Sequence, residues 1–431
     1  MGIAVLSGFL AIFLSFVPFV CSDTNDPERA EQWRHQRLEK LAHLERYHQS
    51  GVEKGFLWLE EKGFQEIFNI NYHGLYPKMG NLSTGSGLSP GVRLWRPNLG
   101  GHNFLDLQAF AAWSLRRYQF YELQFGKFHE KSTEYFLSAN ASGGGPQADI
   151  IPRDKRAFFF ADLRYRDFPQ EDFFGLGPES QTADRTDYRI QEGSYDAVAG
   201  YQFNRFLGAG VRLGFSQVQI DEGTDNRFPD TQDLFNDTTA PGLNDQPDFF
   251  RFSSALFFDY RDKPGNPHNG GVLGVSFSRY TDYGTEQFDF NRLAFDARQY
   301  VPLGSVQRVF AFRFYTSLDG VDSDDRVPFY MQDTLGGSQT LRGFREFRFR
   351  DTNLTYLSGE YRWEAAPAIE GALFYDAGRV FSDRSDFGFD DLETSWGFGV
   401  RFKTKNAVIF RLDVGHSNEG TRIFFKFAPS F

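Results

Sequence analysis

The feature that most constrains the fold is a strict alternation of apolar and polar side chains through the C-terminal part of the chain, in segments of about ten to twelve residues. In 420–431, Ile423, Phe425, Phe427, Pro429 and Phe431 share one parity, while Arg422, Phe424 and Lys426 share the other. In 406–415, Val408, Phe410, Leu412 and Val414 oppose Arg411 and Asp413; in 392–403, Trp396, Phe398, Val400 and Phe402 oppose Gly397, Gly399, Arg401 and Lys403. A period of two places successive side chains on opposite faces of a strand, so each segment has one face suited to an apolar medium and one suited to water. Alternation by itself also fits a soluble sandwich with one wet face. Segment length separates the two readings, because globular strands average about five or six residues and a tilted strand needs about nine to eleven to cross a bilayer. The expected fold is an all-β transmembrane barrel of about sixteen antiparallel strands.

Composition agrees with that expectation. The chain has 51 Phe, 19 Tyr and 6 Trp, 18 % aromatic residues in all, yet its mean hydropathy is -0.47. Aromatic girdles and Phe-rich outer faces that alternate with a polar lumen account for both values. The 431 residues do not require two domains, since a barrel wall grows by adding strands. A net charge of -11 with no basic tract excludes nucleic acid as a partner. Cys21 is the one cysteine, so neither an internal disulfide nor a zinc-type cluster is expected.

Residues 3–20 form an apolar run, and Val20-Cys21-Ser22 offers a cleavage site after Ser22, so 1–22 reads as a secretory signal. A retained anchor is the competing reading, because no Lys or Arg precedes the run. Bulky Phe19 and Val20 disfavour acylation of Cys21. Asp26-Pro27 is a helix start, and Leu38, Leu41, Leu44 and Tyr47 mark one stripe of a charged helix ending near Gly51. The expected organisation is a signal peptide at 1–22, a periplasmic helical extension at 23–86 and a barrel at 87–431.

Predicted strands fall at 87–96, 103–114, 117–127, 156–167, 184–190, 192–202 and 206–217, with nine more between 249 and 431. Counted this way, the long connections 128–155, 218–248 and 317–351 share one side, the extracellular side of a bacterial barrel. The segment from Asp221 to Asp248 holds eight acidic residues and one Arg227, and reads as solvated surface in preference to a calcium site. Gly143-Gly144-Gly145 marks a loop tip without the lysine of a phosphate loop.

Several motifs in order carry a resemblance. Leu335-Gly336-Gly337 leads to Leu341-Arg342-Gly343-Phe344; Gly359-Glu360-Tyr361-Arg362 and Phe374-Tyr375-Asp376-Ala377-Gly378 follow. Before them stand Phe173-Phe174-Gly175-Leu176-Gly177 and the turn Asp259-Tyr260-Arg261-Asp262-Lys263-Pro264. Over about residues 87–431 the chain resembles the BamA-type barrels, or bacterial surface antigens, which include BamA, TamA, the two-partner secretion translocator FhaC and the chloroplast Toc channel. The resemblance implies a long loop six folded into the lumen and carrying Arg342. It also implies a turn between the eighth and ninth strands built on Asp259, Arg261, Asp262 and Pro264, a periplasmic turn at 173–177, and a C-terminal insertion signal at Phe427 and Phe431. Members that assemble or secrete proteins carry periplasmic POTRA modules ahead of the barrel. The 60 or so residues from Asp23 to the first predicted strand read as helix instead, which places the chain with the POTRA-less branch.

Parity adds a physical reading of loop six. Glu360 shares a face with Ser358 and Arg362, and Asp376 shares one with Gly378, so both carboxylates are expected to face the lumen and to trap Arg342 with paired hydrogen bonds. Gly343 is expected to permit a tight turn and Phe344 to add an apolar contact. The expected function is outer-membrane protein insertion or translocation, with client strands handled at the seam between first and last strands and loop six as a luminal latch. The alternatives are a conduit for lipid or small solutes and a partner-dependent structural barrel. Expected partners are outer-membrane lipid and lipopolysaccharide, client outer-membrane proteins or an accessory periplasmic subunit. No cofactor, metal or enzymatic activity is expected. Gly87-Leu88-Ser89-Pro90-Gly91 spells a nucleophile elbow, but Pro90 has no N–H for an oxyanion hole, and adjacent His416 and Ser417 point to opposite faces of a strand.

Overall fold

The computed structural model describes residues 73–426, apart from 81, 84, 103, 104, 128–155, 323, 367 and 404–407, together with Glu31, His35 and Glu39. Those last three are helical and exposed. The signal segment, Cys21, the stripe Leu38 to Tyr47, Gly143 to Gly145, Phe427 and Phe431 lie outside the described residues. The chain divides into two units, 1–61 and 62–431, and the second holds the sheet.

Sixteen antiparallel strands follow one another in sequence order as a single sheet, the wall of a transmembrane barrel. They are β1 (Leu75–Gly80), β2 (Ser89–Arg96), β3 (Asp106–Trp113), β4 (Gln119–Lys127), β5 (Ala157–Phe173), β6 (Thr186–Gln202), β7 (Leu207–Glu222), β8 (Asp248–Asp259), β9 (Gly270–Tyr283), β10 (Phe290–Leu303), β11 (Ser305–Val321), β14 (Asn353–Ala366), β15 (Ile369–Phe381), β16 (Glu393–Lys403), β17 (Val408–Ser417) and β18 (Gly420–Lys426). A small ribbon of β12 (Thr334–Leu335) and β13 (Phe349–Arg350) lies within the connection from β11 to β14. Among the described residues no helix is long and apolar enough to cross a membrane.

The period of two is visible in burial. Leu123, Phe125, Leu163, Leu213, Phe252, Leu256, Trp396 and Phe398 are exposed on the outer face, as lipid contact requires. The opposite parity is polar and buried. Arg93 donates to Gln108 at 2.5 Å, Gln108 to Gln124 at 3.2 Å, and Gln124 to Asp162 at 3.3 Å, while Arg251 pairs with Asp196 at 2.6 Å. A luminal ladder therefore ties neighbouring strands through charge-assisted hydrogen bonds instead of an apolar core.

Four expectations need correction. The sheet begins at Leu75, inside the stretch 23–86 read as helical: Leu75 pairs with Leu94 and Gly80 with Ser89. Pro77 and Gly80 within β1, with Gly85 and Gly87 just after it, give this stretch the composition of a loop, and pairing with β2 makes Leu75–Gly80 a strand. The predicted strands at 156–167, 184–190 and 192–202 are two strands of 17 residues each, β5 and β6, paired from Ala157 with Tyr201 to Phe173 with Thr186. One missed strand and one surplus strand cancel, so the count of sixteen survives while the sidedness of the first half changes.

Because every neighbour is antiparallel, connections alternate sides. The connections β5–β6, β7–β8 and β11–β14 share one side; β4–β5, which contains 128–155, opens on the other, with the β6–β7, β8–β9 and β10–β11 turns. The expectation that 128–155 sits with the extracellular loops is therefore wrong. The segment Phe173-Phe174-Gly175-Leu176-Gly177 is likewise not a periplasmic turn: it lies on the loop-six side, where the Gly177 N–H donates to the Arg350 carbonyl at 2.8 Å. We predict that, with Cys21→Ser in place, a single cysteine placed by Thr238→Cys reacts with a membrane-impermeant maleimide on intact cells, whereas Arg156→Cys reacts only after the outer membrane is opened. Labelling of both on intact cells would contradict this sidedness.

Candidate functional site

The connection from β11 to β14 descends into the barrel, and its tip carries Arg342, of which only 1 % is exposed. Its placement follows from register. Ser358 of β14 pairs with Asp376 of β15, and Glu360 pairs with Phe374. The four side chains make a patch with carboxylates on one diagonal and a ring between them. The guanidinium lies 3.6 Å above the Phe374 ring centroid. Its Nε and Nη2 donate to the two oxygens of Asp376 at 2.8 and 2.7 Å, its Nη1 donates to Glu360, and Nη2 also reaches Ser358 Oγ at 3.2 Å.

The carboxylates have further partners. Glu360 accepts from Arg362 Nε and Arg401 Nη2, both at 2.7 Å. Asp376 accepts from Ser358 Oγ at 2.7 Å and from Tyr356 OH at 3.3 Å. The tip thus fastens β14, β15 and β16 together. Glu360 has three guanidinium partners, whereas Asp376 depends on Arg342 alone for positive charge among its hydrogen-bond partners.

Gly343 acts differently from the tight-turn role expected of it. It is not among the residues with positive φ; those in this loop are Gly336 (φ 113°), Gly337 (φ 88°) and Phe347 (φ 60°). A Cβ on Gly343 would lie 2.7 Å from the His416 carbonyl carbon and from the Ser395 and Ser417 Cβ atoms, so the glycine permits close approach to β16 and β17. Its carbonyl accepts from Ser417 Oγ at 2.9 Å. On the barrel side Gly415 supplies the matching gap, since a Cβ there would sit 2.1 Å from the Arg342 carbonyl oxygen. Phe344 is fully buried with Leu335, Leu341, Phe349, Leu354, Tyr356 and Val380, and meets Phe349 edge-on at 5.1 Å. Arg411 of β17 donates to the Ser338 carbonyl at 2.6 Å.

The upper arms of the loop are also fastened. Phe329 packs on Phe173 and Tyr188 at 4.9 and 5.0 Å, and its N–H donates to the Pro241 carbonyl at 2.8 Å. Arg348 bonds Glu419 at 2.5 Å and the Ser180 carbonyl at 2.6 Å.

The Asp259, Arg261, Asp262 and Pro264 turn is not part of this site, for it joins β8 to β9 on the opposite side. Arg261 Nη2 and Nε pair with the Asp259 carboxylate at 3.0 and 3.1 Å. Asp262 Oδ1 accepts from the N–H groups of Lys263, His268 and Asn269 at 2.8, 3.0 and 3.2 Å, which makes it a turn organiser. Arg261 Nη1 reaches the Pro264 carbonyl at 3.4 Å. Of the other expected residues, Phe427 and Phe431 lie outside the described set. Sequence reasoning missed Phe374, Ser395, Arg401, Arg411, Gly415 and Ser417; the available signal was their shared inward parity with Asp376 or Asp413.

A loop locked inside a sixteen-strand barrel by an arginine can be compared with known proteins. Residues 147–428 match the family model of the Omp85 superfamily domain. The chain belongs to the Omp85 superfamily. Members of this family insert or translocate proteins at the outer membrane and work with partner proteins. The chain is accordingly a bacterial outer-membrane barrel. In fold it is similar to BamA from Haemophilus ducreyi lacking POTRA domains 1–3, with a TM-score of 0.56 at 14 % identity over 82 % of this chain and 68 % of that one. It is also similar to CdiB from Escherichia coli, with a TM-score of 0.52 at 12 % identity over 83 % of this chain and 62 % of that one. No curated protein matches.

Breaking a buried ion pair from one side strands the other charge, at a cost of about 3 to 5 kcal/mol. Because Glu360 keeps Arg362 and Arg401 while Asp376 is left with hydroxyls, Arg342→Ala should lower barrel stability by that amount. Adding Asp376→Asn should restore more of the loss than adding Glu360→Gln. Urea unfolding in detergent, read by heat-modifiability on gels, checks the order; equal rescue by both second changes would refute the assignment.

Proposed function

We propose that this barrel inserts or translocates polypeptide at the outer membrane, with client strands adding where the two ends of the sheet meet and loop six acting as a luminal latch. The observation that carries the reading is the uneven length of the strands. Among the described residues β1, at one end of the sheet, has 6 residues, whereas β5, β6 and β11 have 17. A short end strand forms few ladder bonds, and an unpaired edge within lipid leaves N–H and C=O groups that a client strand can satisfy. The Arg342 cluster works in the opposite sense. It holds β14 to β17 as one piece, so an opening at the seam would move β18 and β1 without dissolving the wall beside them.

A conduit for lipid or small solutes is the second reading. What favours it is the polar luminal ladder from Arg93 through Gln124 to Asp162. We read the chain as non-enzymatic, since Ser89 is buried in β2 ahead of Pro90, and Ser417 is turned toward Gly343 while His416 is exposed. An accessory periplasmic subunit docking on the segment from Pro27 to Ser50, whose sequence reads as a helix, remains part of this proposal.

A photo-crosslinking residue in place of Leu75 or Ile423 should trap nascent outer-membrane barrels during growth, while one at Leu213 in the middle of the wall should not. Absence of edge-specific adducts, together with solute or lipid flux through the purified barrel in liposomes, would favour the conduit instead.

A further inference from the structure

The outer face of β4 and β5 changes character along one line of register. In the rows that pair Ala109, Leu123 and Leu163, and then Ala111, Tyr121 and Tyr165, the outward side chains are apolar or aromatic. In the next row, Gln119 pairs with Asp167, Asp167 with Gln191, and Gln191 with Gln219. Polar side chains then bond among themselves on the outer face. Arg189 pairs with Asp167 at 2.7 and 2.8 Å, and Gln191 donates to Tyr165 OH at 3.0 Å. An aromatic row followed by a polar one marks the membrane boundary. Since this end of the sheet is the loop-six side, the boundary is with the outer leaflet.

Two concave features lie on either side of that boundary, with Trp113 and Gln119 in the row between them. Below it, small Ala109 and Ala111 form the floor of an outward groove of about 510 Å³, walled by Val92, Leu94, Tyr121, Leu163 and Tyr195. Just beyond it, the β3–β4 turn contributes Arg116 and Arg117 to a cleft of about 370 Å³ that also takes in Leu115, Gln170, Thr224, Asp225 and Arg227. Arg116 donates to the Gly85 carbonyl at 2.8 Å. Among the described residues the exposed Arg117 side chain makes no hydrogen bond or ion pair, and Leu115 is 95 % exposed. Arg227 pairs with Asp225 at 2.5 Å, and this holds the Asp225 carboxyl below its usual range, so that pair is neutral and the other two arginines are in excess. In a chain of net charge -11, this is a local reversal of sign placed at headgroup height.

We propose that the groove and cleft together hold one phosphorylated glycolipid of the outer leaflet, an acyl chain over Ala109 and Ala111 and a sugar phosphate at Arg116 and Arg117. The groove accepts a flexible hydrocarbon because Ala at both floor positions leaves the depth that the flanking Leu and Tyr side chains surround. The cleft accepts a phosphate because guanidinium matches its oxygens with paired hydrogen bonds. Lipid held here would brace the first strands, β2 to β5, which lie beside the proposed seam but are far in sequence from the Arg342 cluster. The inference rests on outer-membrane placement alone, and client handling is not needed for it.

The test uses the full chain refolded into phosphatidylcholine vesicles containing either bisphosphorylated lipid A or its dephosphorylated form, then extracted in mild detergent for native mass spectrometry. The wild type should retain phosphorylated lipid A at least about tenfold better than the dephosphorylated form, and excess inorganic phosphate should not displace it. Arg117→Glu, whose side chain has no partner to lose, should cut retention several-fold, and Arg116→Glu with Arg117→Glu should abolish the preference. Ala111→Trp should weaken retention by filling the groove while leaving heat-modifiability unchanged. Equal retention of both lipids, displacement by inorganic phosphate, or undiminished retention in Arg117→Glu would overturn the proposal.

Discussion

The guanidinium of Arg342 sits in a place where charge is costly, buried within a barrel and resting on an aromatic ring. It is tolerable there because two carboxylates on adjacent strands were buried with it, and because Arg362 and Arg401 share the second of them. Desolvating any one of these groups alone would cost several kcal/mol, so none of them has a stable position without the others. The consequence is cooperative. The loop tip, the inner face of β14 to β16 and the glycine gaps on β17 are parts of one arrangement.

That arrangement is continued upward by contacts of a different kind. Phe329, Phe173 and Tyr188 join loop six to the β5–β6 and β7–β8 connections through apolar packing, whereas the tip is held by ions and hydrogen bonds. Apolar contacts sit where the loops rise above the sheet, and charged ones where the loop meets a polar lumen. Each matches its surroundings, since hydrophobic packing gains most where apolar surface would otherwise be wetted, and a buried guanidinium is held by the carboxylates that the polar inner face supplies. The first seven strands meet loop six at the upper ends of β5 and β6, where Arg350 also donates to the Tyr188 hydroxyl at 3.3 Å. Their inner faces rely on the ladder through Gln108, Gln124 and Asp162, and their outer face carries the groove and basic cleft.

Much of this was legible in the sequence. Alternation over long segments gave the barrel and the inward parity of Glu360 and Asp376, and family motifs drew attention to Arg342. Three things were not legible, each for a physical reason. β1 lacks strand composition and exists through its pairing with β2, a long-range cause that no local window contains. Strands β5 and β6 extend well past the membrane boundary, so their polar outer ends broke the alternation and were divided or cut short. That error displaced 128–155 to the wrong side. Gly343 was read through its conformational freedom, when its value lies in the absent Cβ facing β16 and β17.

The sequence by itself determined which medium each face of each strand would meet, because side-chain period and polarity are local properties of the chain. It also determined that an arginine and two carboxylates would lie on the inside. Only the tertiary structure decided how they would be matched: register places Phe374 between the two carboxylates, gives Glu360 three guanidinium partners and leaves Asp376 with one. Those assignments depend on which residues stand opposite one another across strands, and a one-residue slip in pairing would have dissolved them while leaving the sequence pattern intact.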